Sequence, residues 1–137
     1  MARILVAASP EPSAILERML AGHALCCAGT IEQAEQCLTR GTFDRIICTL
    51  VFDDSRMFDL LRFVKSKVAW QRIPFVCARL RRHVLDSPPV LAGVAASCKA
   101  LGAAAFLDIA DYHVDPQREM RDAIERLLDT APRTDAG

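Results

Sequence analysis

At 137 residues, with 52% hydrophobic and 25% charged side chains, the chain has the composition of one globular domain and not of a disordered segment. Its 17 Lys and Arg balance 17 Asp and Glu, which excludes the one-signed field of a protein that binds nucleic acid or an anionic membrane through net charge. No basic segment with a long apolar core opens the chain, and the most apolar window, residues 90–107, is broken by Lys99 and Gly102, so a soluble, cytoplasmic protein is expected.

Residues 3–8 (RILVAA) form a short apolar run suited to a strand covered on both faces. Ser9 or Glu11 starts a helix with Pro12 in its first turn; Ile15, Leu16, Met19 and Leu20 recur at helical spacing and Gly22 stops it. A second buried strand follows over 24–28. Thr30 and Gln33 have the spacing of a capping box for a helix over 31–40, closed by Gly41. Residues 44–52 make the third strand, and 57–69 a helix with Phe58, Leu61, Val64 and Val68 on its inner stripe. The fourth strand spans 73–78, with Pro74 at its start. A basic loop over 79–85 leads to a helix over 87–101, capped by Ser87 and ended by Gly102. The fifth strand covers 104–108. Asp115 and Pro116 open a last amphipathic helix with Met120, Ile124, Leu127 and Leu128 inward. Five short apolar strands alternating with five helices predict an α/β fold, a doubly wound parallel sheet with right-handed crossovers and the flavodoxin-like strand order 2-1-3-4-5. One domain is expected over residues 1–131, with 132–137 a disordered tail or the start of a linker.

The six cysteines show no CxxC and no Cys/His cluster with zinc spacing. Cys26, Cys27, Cys48 and Cys77 lie in strand-like runs, Cys37 and Cys98 in helix-like runs, so all six are expected to be buried, reduced thiols. His23 and His113 are expected at the surface and Trp70 in packing at a helix end. No GxGxxG, P-loop, GxSxG or HExxH motif is present.

The stretch FDRIICTLVFDD, residues 43–54, resembles the centre of a response-regulator receiver domain, in which an acidic residue, four mostly apolar residues and a phosphoacceptor aspartate follow one another. RILV, IPFV and GAAAFL are similar to that family's first strand, fourth strand and entry to its fifth, so the resemblance covers residues 2–130. It implies a (βα)5 receiver fold and a place in two-component signal transduction or a phosphorelay. It also implies a site with two acids after the first strand, the aspartate after the third, a hydroxyl after the fourth and a lysine after the fifth. Here those positions hold Ala8 and Ser9 (or Ala7 and Ala8, one residue earlier), Thr49, Arg79 and Ile109, with Ala110 where a proline would follow. A threonine cannot form an acyl phosphate, and magnesium lacks its hard carboxylate ligands. The segments over 79–87 and 108–114 are longer than the family's usual connections.

The expectation is therefore a non-phosphorylated pseudo-receiver that is no enzyme, holds no metal or cofactor, and works by protein–protein interaction. The alternative is a small-ligand, anion or redox-sensing domain that uses Arg79, Arg81, Arg82 and His83 with Cys77. On the simpler reading of that cluster, Arg79 pairs with Asp53 or Asp54. Between Ser87 and Leu101, Lys99 is the one charge, beside small residues that include Ala92, Ala96 and Ala100. The last helix has a mixed-charge face with Arg118, Arg121, Asp122, Glu125, Arg126 and Asp129. By resemblance to receivers, whose fourth helix, fifth strand and fifth helix meet partners, Ala92, Ala96, Lys99, Ala100, Arg118, Arg121, Asp122 and Glu125 are the expected interface. It would receive another signalling protein or a second copy, and no nucleic acid or membrane.

Overall fold

The computed structural model describes residues 2–82 and 84–130; Met1, His83, residues 131–137 and the side chains of Asp129 and Thr130 lie outside the described residues, and with them the expected tail and the expected role of His83. Strands β1 (Arg3–Ala7), β2 (Ala24–Ala28), β3 (Arg45–Thr49), β4 (Phe75–Arg79) and β5 (Ala105–Asp108) form one parallel sheet in the order β2-β1-β3-β4-β5. The expected order is borne out. Helices α1 (Pro10–Met19), α2 (Ile31–Arg40), α3 (Met57–Lys65), α4 (Pro88–Ala100) and α5 (Pro116–Thr130) connect and follow the strands, with a helical turn over Phe52–Ser55 and a 3-10 turn over Ile109–Asp111.

The inner strands read as unbroken apolar runs because both of their faces are covered. On one face Leu5, Ile46, Cys48, Phe75 and Cys77 pack with Ala34 and Leu38 of α2, Leu60, Leu61 and Val64 of α3, and Cys98 of α4. On the other, Ile4, Val6, Ile47, Val76 and Ala78 meet Leu16 and Met19 of α1 and Met120 and Ile124 of α5. Alternation along each strand divides its side chains between these two cores.

Local signals set several boundaries. Thr30 Oγ1 accepts from Gln33 N at 3.2 Å, while Gln33 Oε1 accepts from Gly29 N at 2.7 Å, so the capping box closes one residue earlier than its usual form. Arg45, buried in β3, donates to the carbonyls of Leu128 at 3.0 Å and Leu127 at 3.5 Å, holding the last turn of α5 against the sheet. At the other end of α5, Glu119 Oε2 accepts from the backbone N–H groups of Val114 and Asp115, both at 3.3 Å.

The structure corrects several expectations. β3 stops at Thr49 and not at Phe52, because the chain turns at Leu50 and Val51 (Val51 φ −100°, ψ 15°) into the helical turn that opens at Phe52, after which Asp53, Asp54 and Ser55 take left-handed angles (φ 46, 59 and 65°). α3 ends at Lys65, whose Nζ donates to the carbonyls of Gln71 and Ile73 at 3.0 Å and closes a turn that leaves Val68 86% exposed. His23 is not a surface group: Ala2 N donates to its Nδ1 at 2.9 Å, and its Nε2 lies 2.7 Å from Glu125 Oε1. The ring thereby ties α5 to the start of β1.

The cysteines divide. Cys26 on β2 and Cys37 on α2 form a disulfide, contrary to the expectation of reduced thiols, because both side chains fall on the face where α2 packs back onto its own strand. Cys27, the next residue of β2, points the opposite way and is exposed, since β2 is an edge strand. Its thiol donates to Glu17 Oε1 at 3.3 Å. Cys48, Cys77 and Cys98 are buried and free, as expected. Trp70 packs on Phe63, with ring centroids 5.6 Å apart.

Candidate functional site

In an open parallel sheet, ligands meet the carboxyl ends of the strands. Ala8 and Ser9 follow β1, Thr49 ends β3, Arg79 ends β4 and Ile109 follows β5, so the expected site positions do converge on that edge. Their chemistry comes from the ladder. Arg79 stands directly opposite Asp108 in the β4–β5 register, and its Nη1 donates to Asp108 Oδ1 at 2.7 Å. Nε donates to Val84 O at 2.7 Å, and Nη2 to Arg82 O, while Asp86 lies 3.8 Å away. The two main partners are withdrawn from water, with side chains 1% and 13% exposed. Asp108 Oδ1 also accepts from Ala110 N at 3.0 Å and so caps the 3-10 turn. Arg79 thus joins the ends of β4 and β5 to the loop between β4 and α4: it neutralises a carboxylate and satisfies carbonyls of the long loop over 80–87.

What remains between Thr49, Leu50, Val51, Arg79 and Val84 is a cavity of about 20 Å³, room for about one water and not for a phosphoryl group. Thr49 Oγ1 is buried beside it without a hydrogen-bond partner among the described residues. Among the described residues no group of three or more His, Cys, Asp or Glu side chains is placed to hold a metal ion. Asp53 does not reach in: its Oδ2 accepts from Ile31 N at 3.0 Å and lies 3.5 Å from Arg56 Nη1. The expected pairing of Arg79 with Asp53 or Asp54 is thereby replaced by Arg79–Asp108.

Structural comparison places this edge in a known frame. The receiver domain of a signal transduction histidine kinase from Syntrophus aciditrophicus superposes with a TM-score of 0.73 at 19% identity, over 100% of this chain and 97% of that one. The chemotaxis response regulator of Vibrio cholerae gives 0.70 at 20% identity, over 93% and 98%. A sensor histidine kinase receiver domain from Pseudomonas aeruginosa, described with magnesium coordinated in its active-site cleft, gives 0.69 at 16% identity, over 94% and 98%. The chain has the response-regulator receiver fold. At these identities the likeness establishes the fold; no protein-family model and no curated protein matches the sequence.

Within the receiver fold the basic cluster is dispersed. Arg79 faces inward, Arg81 pairs with Glu11 of α1, and Arg82 Nη2 donates to Tyr112 O at 3.1 Å. These three do not converge on one anion. Cys77 is buried on β4, its thiol pushed up by a hydrogen bond to Cys98 and by burial, so it holds its proton. Asp108 is the site residue that sequence reasoning missed; its signal was an acid at the end of the fifth strand, in register with an arginine at the end of the fourth. On the flank, α4 buries only Cys98 fully, and Ala92, Ala96, Lys99 and Ala100 are exposed. Arg118 and Arg121 are exposed on α5, with Arg121 Nη2 and Asp122 Oδ1 3.1 Å apart. Glu125, its side chain 40% exposed, meets His23 Nε2 at 2.7 Å.

Proposed function

We propose that this protein is a pseudo-receiver of bacterial two-component signalling: a cytoplasmic domain that takes no phosphoryl group, catalyses nothing, and acts by binding another signalling protein or a second copy of itself. The observation that carries the reading is the Arg79–Asp108 pair, which stands where a receiver's switch hydroxyl is expected and leaves a cavity of about 20 Å³. Thr49 supports it, because a threonine hydroxyl has no carboxylate with which to attack phosphorus. Partner binding falls to α4, β5 and α5. α4 turns Ala92, Gly93, Ala96 and Ala100 outward, side chains small enough for close approach by another backbone, and α5 supplies a charged rim through Arg118, Arg121 and Asp122.

The rival reading, an anion or redox sensor built on the basic loop and Cys77, has less support, since the arginines point to different partners without converging on one anion and Cys77 is buried. The test is incubation with acetyl phosphate and magnesium followed by intact mass measurement. The expected result is an unchanged mass. A stoichiometric, hydroxylamine-labile gain of one phosphoryl group overturns the proposal.

A further inference from the structure

A second concavity lies on the other face of the sheet from α4 and goes beyond the reading above. It is a cavity of about 380 Å³ between α1, the start of α5 and the loops that follow β4 and β5. Its floor is apolar: Ile15 and Met19 of α1, Leu80 just beyond β4, and Ile109 at the head of the 3-10 turn. Two opposite charges, Arg82 and Asp115, stand on its rim. The volume is within the range of small-molecule sites, and an apolar floor with a few polar groups at the mouth is their usual chemistry.

The rim charges point to the occupant. Arg82 makes one hydrogen bond, to Tyr112 O at 3.1 Å, and no ion pair among the described residues, which leaves most of its five donors open. The Asp115 carboxylate has no partner among the described residues, and the two do not pair with each other. A cation and an anion held apart over an apolar floor complement a small molecule with both charges and an apolar tail. A simple fatty acid would meet Asp115 as a like charge, and a simple amine would meet Arg82. The site is built from this chain's two long connections: Arg82 rides on the loop over 80–87, whose carbonyls Arg79 anchors, and Asp115 follows the extended segment after β5.

We infer that this cavity binds a small apolar zwitterion, an α-amino acid with an aliphatic side chain, its carboxylate on Arg82, its ammonium on Asp115 and its tail on Ile15, Met19, Leu80 and Ile109. The test is titration of the 15N-labelled full chain with L-leucine, followed by amide shifts of Ile15, Met19, Ile109 and Gln117. Saturable shifts with a Kd at or below about 10 mM are expected for a ligand of this size. 4-Methylpentanoate, which lacks the ammonium, and isoamylamine, which lacks the carboxylate, should each bind about tenfold more weakly or worse. Arg82→Gln and Asp115→Asn, both at exposed positions, should each weaken leucine by a similar factor while spectra away from the cavity stay unchanged. Absence of saturation overturns the inference. So does equal binding of either one-charge analogue, which would make the cavity a site for simple amphiphiles. Shifts of the same amides on raising protein concentration without leucine would assign the cavity to a second copy and also overturn it.

Discussion

The residue that decides this molecule's chemistry is Arg79, and its effect can be measured. A charge buried with its partner tolerates loss of both groups better than loss of one, because a lone buried charge keeps its desolvation penalty. Arg79→Leu or Asp108→Leu should each lower unfolding free energy by about 3 kcal/mol, and the double variant by clearly less than the sum, in urea denaturation. Additive losses would show that the pair is not a unit. The replacements themselves were legible: Thr49, Ala8, Ser9 and Ile109 sit at fixed offsets from strand ends, and strand ends are local features. Asp108 as the arginine's partner was not, because that pairing depends on the β4–β5 register between residues 29 apart in sequence. The cysteines show the same division. Burial of Cys48 and Cys77 followed from apolar runs, whereas the Cys26–Cys37 disulfide follows from α2 packing back onto β2 and the exposure of Cys27 from β2 lying at the sheet's edge.

At the scale of elements, strongly patterned segments were read to the residue. β2 and α2 have the expected bounds, since a cap at Thr30 and a continuous amphipathic run leave little choice. Misreadings cluster where side-chain hydrogen bonds redirect the chain. Lys65 closes the turn after α3, and Asp53 holds the turn after β3 by accepting from Ile31 N. That second turn is strained, with three successive non-glycine residues at positive φ. Left-handed geometry costs roughly 1–2 kcal/mol for an ordinary residue and less for aspartate. Asp54 is exposed and makes no side-chain hydrogen bond among the described residues. Asp54→Gly should therefore stabilise the fold by about 0.5–1 kcal/mol, read as a higher urea midpoint at unchanged m-value. Asp53→Gly should not, because it removes the carboxylate from Ile31 N. A lower midpoint for Asp54→Gly would show that the turn is not strained at that residue.

For the whole molecule, periodicity and alternation specified a five-stranded sheet with two cores, since burial on two faces imposes the same pattern on all the inner strands. The shape of the edge was not legible, because the loops over 80–87 and 109–115 are organised by Arg79 and Asp108 and not by any repeat. The exposed small-residue face of α4 belongs to this scale also. Ala96→Glu with Ala100→Glu places two charges on that face without touching either core. With folding verified by circular dichroism, the double variant should shift sedimentation toward monomer or lose capture of the partner that the parent retains. Unchanged sedimentation together with unchanged capture would remove α4 from the interface.

On the proposed reading, in which the Arg79–Asp108 pair holds the domain in one arrangement, that pair also governs how a cell would read this protein. A switchable domain carries two quantities, its copy number and the fraction of copies in the active state. A domain held in one arrangement carries only the first. On the proposed reading its influence on a partner follows a plain binding isotherm, half-complete when its free concentration equals the Kd. The onset and decay of the response are then set by synthesis and turnover of the chain, on the timescale of growth and proteolysis rather than of phosphate chemistry.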